Sequence, residues 1–69
     1  MVKILVNGQV YVTNFNISLY DFLDFLLPES EGCEFIVEYN HEIVFYENYK
    51  KINLTDYDKI ELITIVGGG

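Results

Sequence analysis

A chain of 69 residues allows one small domain, and a domain that size buries only about 60% of its unfolded surface. Eleven acidic side chains against four lysines, with no arginine, give a net charge of −7, which leaves no basic footprint for nucleic acid or for an anionic membrane surface. A hydrophobic content of 51%, including six Tyr and five Phe, excludes disorder, and a single cysteine excludes an internal disulfide and points to a reducing compartment.

Val2, Ile4 and Val6 alternate with Lys3, Leu5 and Asn7, which predicts a strand. It stops at Asn7-Gly8, a strong hairpin signal. The opening is interrupted too early for a signal peptide, and no apolar run approaches the roughly 20 residues of a membrane span. A soluble intracellular domain is therefore expected. The second strand, Gln9 to Thr13, carries Val10 and Val12. A two-residue turn would pair Ile4 with Tyr11 and send both valines to the face opposite Ile4. A longer loop with Gly8 left-handed pairs Ile4 with Val10 and Val2 with Val12. It collects the valines on one face, so a bulged turn is the expectation.

Ser18-Leu19-Tyr20-Asp21 reads as a capping box that opens a helix. Leu19, Phe22, Leu23, Leu26 and Leu27 then form one apolar stripe of helical period, ended by Pro28. An acidic loop, Glu29 to Glu34, contains Gly32 and Cys33. A third strand follows from Phe35 to Tyr39, then a turn at Asn40-His41 and a short fourth strand from Glu42 to Phe45. Glu47 to Asn53 lacks a clean period and is expected to hold a helical turn or an irregular crossing. Thr55 to Asp58 has turn chemistry, and the last strand runs from Lys59 to Val66.

A hairpin, one helix and further strands satisfy their apolar stripes as a mixed sheet of four to five strands around one main helix. That is an α+β architecture of the β-grasp, or ubiquitin-like, type, with the first and last strands parallel at its centre. Residues 1–66 form the domain, and Gly67, Gly68 and Gly69 form a flexible tail.

The inventory of catalytic chemistry is short. Cys33 and His41 lie in separate loops with no metal-ligand spacing, and Glu31 and Glu34 beside Cys33 disfavour a thiolate. The remaining glutamates, Glu38, Glu42 and Glu47 among them, read as a solvated rim. No glycine-rich loop leads into a helix to cradle phosphate. The chain itself is expected to be no enzyme.

Two features stand out against that background. Gly67-Gly68-Gly69 directly follows a strand, at the end of the chain, where a main-chain carboxylate could be the reactive group. Three extended glycines reach roughly 10 Å and fit a narrow channel. The strand before them, Leu62-Ile63-Thr64-Ile65-Val66, is apolar on both faces. One helix covers only one face, so Ile63 and Ile65 point away from it and, with Val66, form an expected partner interface beside the tail.

The whole chain resembles the thiamine-pathway sulfur carriers, the ThiS family. The resemblance rests on Val6-Asn7-Gly8, Ile36-Val37-Glu38-Tyr39-Asn40, Glu42-Ile43-Val44 and Asp58-Lys59-Ile60-Glu61 through Val66-Gly67-Gly68-Gly69. His41 stands where that family often has Gly, and Tyr57 occupies a turn position that usually holds Gly or Arg. The resemblance implies that a partner adenylating enzyme uses ATP and Mg²⁺ on the Gly69 carboxylate, this chain binding no cofactor of its own. A persulfide supplied by a cysteine desulfurase system then displaces AMP, and thiazole synthase receives the sulfur from the resulting thiocarboxylate. The alternatives are another ubiquitin-like sulfur carrier, such as the molybdopterin synthase small subunit or a tRNA-thiolation carrier, or a non-covalent β-grasp module. A composition rich in Ile, Asn, Tyr and Phe, without Ala or Arg, is that of an AT-rich genome. The expected location is the cytoplasm, or the plastid stroma if the protein is organellar.

Overall fold

The computed structural model describes residues 1–27 and 34–65, with backbone alone for Glu34, Thr64 and Ile65. Five strands form one mixed sheet: β1 (Val2–Val6), β2 (Gln9–Thr13), β3 (Glu34–Tyr39), β4 (Glu42–Val44) and β5 (Asp58–Ile65). Their order is β2-β1-β5-β3-β4. The two central strands, β1 and β5, are parallel, while the flanking pairs are antiparallel. Among the described residues, one helix, α1 (Leu19–Leu26), and a 3₁₀ helix (Tyr46–Lys51) complete the fold. This is the expected β-grasp.

The start of α1 follows from its sequence. The Ser18 hydroxyl accepts the Asp21 N–H at 3.0 Å, which satisfies one of the free donors of the first turn. Asp21 also places negative charge at the positive end of the helix. The stripe of α1 buries Leu19, Phe22 and Leu23 against the sheet. Ile4, Leu19 and Ile60 are wholly buried and mark the centre of the core. Each such side chain contributes about 1.5–3 kcal/mol by leaving water. Residues 52–54 close the side of the core: Leu19 N–H donates to Ile52 O and Leu54 N–H to Ile17 O, which places Leu54 in the core.

The first hairpin differs from the sequence expectation. Ile4 pairs with Tyr11 and Val2 with Thr13, so the turn is the two-residue kind and not the bulged one. Asn7 and Gly8 have φ of 48° and 82°, the two positive values that a type I′ turn requires. The twist of that turn matches the twist of the strands, and this outweighs collecting the valines on one side. Val10 and Val12 consequently lie on the sheet face away from α1 and are 63% and 57% exposed. The second hairpin uses the same device, with Asn40 and His41 at φ of 50° and 72°.

Candidate functional site

The parallel pairing of β1 with β5 puts the last strand at the centre of the sheet, so its far end is delivered by the most buried part of the fold. Two anchors hold β5. At its start, Asp58 is buried and accepts four hydrogen bonds. Tyr39 Oη donates to its Oδ2 at 2.6 Å and the Thr55 N–H at 2.7 Å. Asn40 Nδ2 and the Thr55 hydroxyl donate to its Oδ1. Burial pushes this carboxyl up, but the hydrogen bonds from Tyr39, Thr55 and Asn40 outweigh it and hold it below the usual carboxylate range. The same burial and the adjacent carboxylate push the Tyr39 hydroxyl up to about 12. Asn40 also accepts the Lys59 N–H through Oδ1 at 2.8 Å, which ties the β3–β4 turn to β5.

The second anchor lies further along. Asn7 Oδ1 accepts the Leu62 N–H at 2.8 Å, and its Nδ2 donates to Leu62 O at 3.5 Å. A side-chain amide here takes the place of the next peptide group and prolongs the β1–β5 ladder beyond Val6.

The two faces of β5 differ in kind. Ile60 is buried and Leu62 half-buried on the α1 side, as the alternation predicts. Ile63 points to the other face and is 44% exposed. Across that open face the register sets out rows of side chains. Val12 lies opposite Lys3, and Val10 opposite Leu5, which neighbours Lys59. Glu61 lies opposite Glu38, which lies opposite Ile43, and Ile63 lies opposite Ile36. Among these, Val10, Val12, Ile43 and Ile63 are exposed aliphatic residues. These aliphatic side chains share the face with Lys3, Lys59, Glu38 and Glu61, so the open side of the sheet mixes apolar and charged groups.

On the α1 side, a groove of about 380 Å³ is lined by Tyr20, Leu23, Phe35, Tyr46, Tyr49 and Leu62, among others. It brings together aromatic and aliphatic walls but no nucleophile with a base. Among the described residues, no group of three His, Cys, Asp or Glu side chains could hold a metal ion. No helix among them is long and apolar enough to cross a membrane. His41 is an exposed turn residue. Cys33, Val66, Gly67, Gly68, Gly69 and the side chain of Ile65 lie outside the described residues.

The family model that matches is that of the ThiS family, over residues 2–69. The chain belongs to the ThiS family. Members are small ubiquitin-like sulfur carrier proteins and not enzymes themselves. A crystal structure of the thiamine biosynthesis protein ThiS from Geobacter metallireducens superposes with a TM-score of 0.81. The match covers 99% of this chain and 100% of that one at 23% identity, a likeness of fold. Two relatives carry the name uncharacterized protein ycf40. The one from Trieres chinensis is 41% identical over 64 residues, 93% of this chain and 85% of the relative. The one from Pyropia yezoensis is 39% identical over 72 residues, 99% and 93%.

For this ThiS-family chain, sequence reasoning found Ile63 but missed Val10, Val12 and Ile43 as members of the same exposed face. The signal was present in Asn7-Gly8, because a type I′ turn dictates the register that turns the valines outward. Glu38 and Glu61, far apart in the sequence, become neighbours only through the β3–β5 register.

Proposed function

We propose that this chain carries sulfur as a thiocarboxylate on Gly69 and delivers it for thiazole formation in thiamine biosynthesis. Membership of the ThiS family carries this reading, because the match runs through residue 69 and takes in the glycine tail. In the proposed reaction a partner enzyme binds ATP and Mg²⁺, and the Gly69 carboxylate attacks the α-phosphate with loss of pyrophosphate. The acyl-adenylate has AMP as a good leaving group, which a persulfide from a cysteine desulfurase system displaces. A second thiol then cleaves the new S–S bond and leaves the thiocarboxylate, the form that thiazole synthase consumes. The chain contributes position and recognition: a thin arm of Gly67 and Gly68 that enters the partner's active site, and a rigid body that sets where the arm starts.

The proposed partner interface is Ile63, Ile65 and Val66, to which Val10, Val12 and Ile43 are added because they share the open face with Ile63. Exposure of Ile63 beside a strand anchored by Asn7 and Asp58 supports that assignment. The ycf40 relatives point to a plastid-encoded protein and hence to the plastid stroma as its place of work. ATP–pyrophosphate exchange by the cognate adenylating enzyme tests the first step. Exchange that depends on this chain and ceases when Gly69 is deleted supports the reading. Exchange that continues without Gly69 removes it.

A further inference from the structure

We infer that the open sheet face docks a partner surface that is apolar around one arginine, and that the arginine seats between Glu38 and Glu61. The inference rests on the carrier reading and names the chemistry that its adenylating partner presents. Glu38 and Glu61 are directly opposed across the antiparallel β3–β5 pair. Cross-strand partners of this kind hold their Cβ atoms about 4.5–5.5 Å apart, and like charges there are destabilising. Nothing in the fold's own architecture requires two acids at that spot. Alternation places both on the face away from the core, where any polar pair would serve.

Aliphatic groups flank the pair. Ile43 lies opposite Glu38 on β4, and Ile36 and Ile63 form the next row of the same face. Two carboxylates within an aliphatic border match a guanidinium, whose planar fork of five donors can engage both acids while its apolar faces rest on isoleucine. The surrounding aliphatic contacts would exclude water and strengthen the charged hydrogen bonds. Lys59 lies two residues before Glu61 on the same face, in the row of Leu5, and diagonal to Glu38, so one cation borders two acids and one negative charge of the three remains in excess. A second copy of this chain is a poor occupant, because it would set one acid pair against another in a molecule of net charge −7. A basic, arginine-bearing surface answers both the apolar rows and the acids.

The test measures two quantities on wild type, Glu38→Gln, Glu61→Gln and the double variant. The first is the Kd for the purified cognate adenylating enzyme, at low and at physiological salt. The second is the thermal midpoint of the free protein. Each single substitution should weaken binding about ten- to a hundredfold. The double variant should lose far less than the product of the two, since one guanidinium is lost once. The salt dependence should flatten in all three variants. The free protein should melt at a higher temperature in each variant, because relieving a cross-strand repulsion stabilises the sheet while it costs binding. An unchanged Kd in the double variant, or a lowered midpoint in the single ones, overturns the inference. Ile63→Asp separates the levels. If it abolishes binding while the glutamine variants bind as wild type, the docking face and the carrier reading stand and the arginine seat falls. If wild type itself does not bind the enzyme, both fall together.

Discussion

Asn7 and Leu62 are joined by a pair of hydrogen bonds between a side-chain amide and a backbone peptide group, with the Leu62 N–H donating to Asn7 Oδ1 at 2.8 Å. The same residue forms the first hairpin turn at a φ of 48°. One side chain therefore sets the register that exposes Val10 and Val12 and also fixes the strand that leads to the tail. Substitution can separate the two roles. Asn7→Gly keeps the turn and removes the clamp, and it should cost about 1 kcal/mol, the worth of an ordinary hydrogen bond. Asn7→Ala removes the clamp and strains the turn, adding about 1–2 kcal/mol for a side chain held left-handed. Denaturant unfolding of the two variants checks the order. Equal losses would show that the turn conformation carries no strain.

The two faces of β5 predict opposite outcomes for neighbouring residues. Leu62→Asp should unfold the domain, since an unpaired carboxylate on the core side costs several kcal/mol. Ile63→Asp should leave the unfolding midpoint close to wild type, because its side chain is 44% exposed, while it weakens binding to the adenylating enzyme. Circular dichroism melts and a binding titration on both variants make the comparison.

His41 and Tyr57 occupy left-handed backbone at φ of 72° and 68°, where a side chain is strained and glycine is not. His41→Gly and Tyr57→Gly should each stabilise the protein by about 0.5–1 kcal/mol, the relief of strain exceeding the added freedom of the unfolded chain. In a domain of this size that shift is visible as a rise of several degrees in the melting midpoint. A fall in both midpoints would show that contacts of the native side chains outweigh the backbone strain.

Stability should depend on pH at both ends of the scale through Asp58 and Tyr39. The folded-state pKa of Asp58 lies below its ordinary value, so its contribution is present above that ordinary value and is lost as pH falls through the folded one. Tyr39 is raised from 10.0 to about 12, so its contribution is complete below pH 10 and is lost as pH rises through that interval. Tyr39→Phe should abolish the alkaline loss. It should also lessen the acid loss, because Asp58 then lacks the 2.6 Å bond that helps hold its pKa down. Urea midpoints across pH for wild type and Tyr39→Phe give the answer. An alkaline limb unchanged by the substitution would exclude Tyr39 as its source.

Most of the fold was legible because local signals agreed with one another. Ser18 with Asp21 marked the start of the helix, the leucine stripe marked its buried face, and alternation in Val2 to Val6 marked the face of the central strand. The hairpin register departs from the valine pattern, because the geometry of a two-residue turn at Asn7-Gly8 outweighs gathering the valines on one face. The acid pair could not be read at all. Glu38 and Glu61 are 23 positions apart in sequence, and only the register of two strands, set by the whole sheet, makes them neighbours. The anchor of Asp58 was half visible: turn chemistry was evident in Thr55 to Asp58, but the Tyr39 and Asn40 donors come from another hairpin.

The central claim concerns the chemistry at Gly69, and intact-mass analysis tests it most directly. The protein is incubated with its adenylating enzyme, ATP, Mg²⁺, a persulfide source and a thiol that releases the product, then weighed beside variants lacking Gly69 or extended beyond it. Wild type should gain the mass difference between one sulfur and one oxygen, located at the terminal residue. Neither variant should gain it, because moving the carboxylate by one residue displaces it by far more than the 1 Å or so that already costs about 10²-fold. Both should melt as wild type does. Sulfur acquired by the variant ending at Gly68, or a wild-type mass that never changes, would contradict the account.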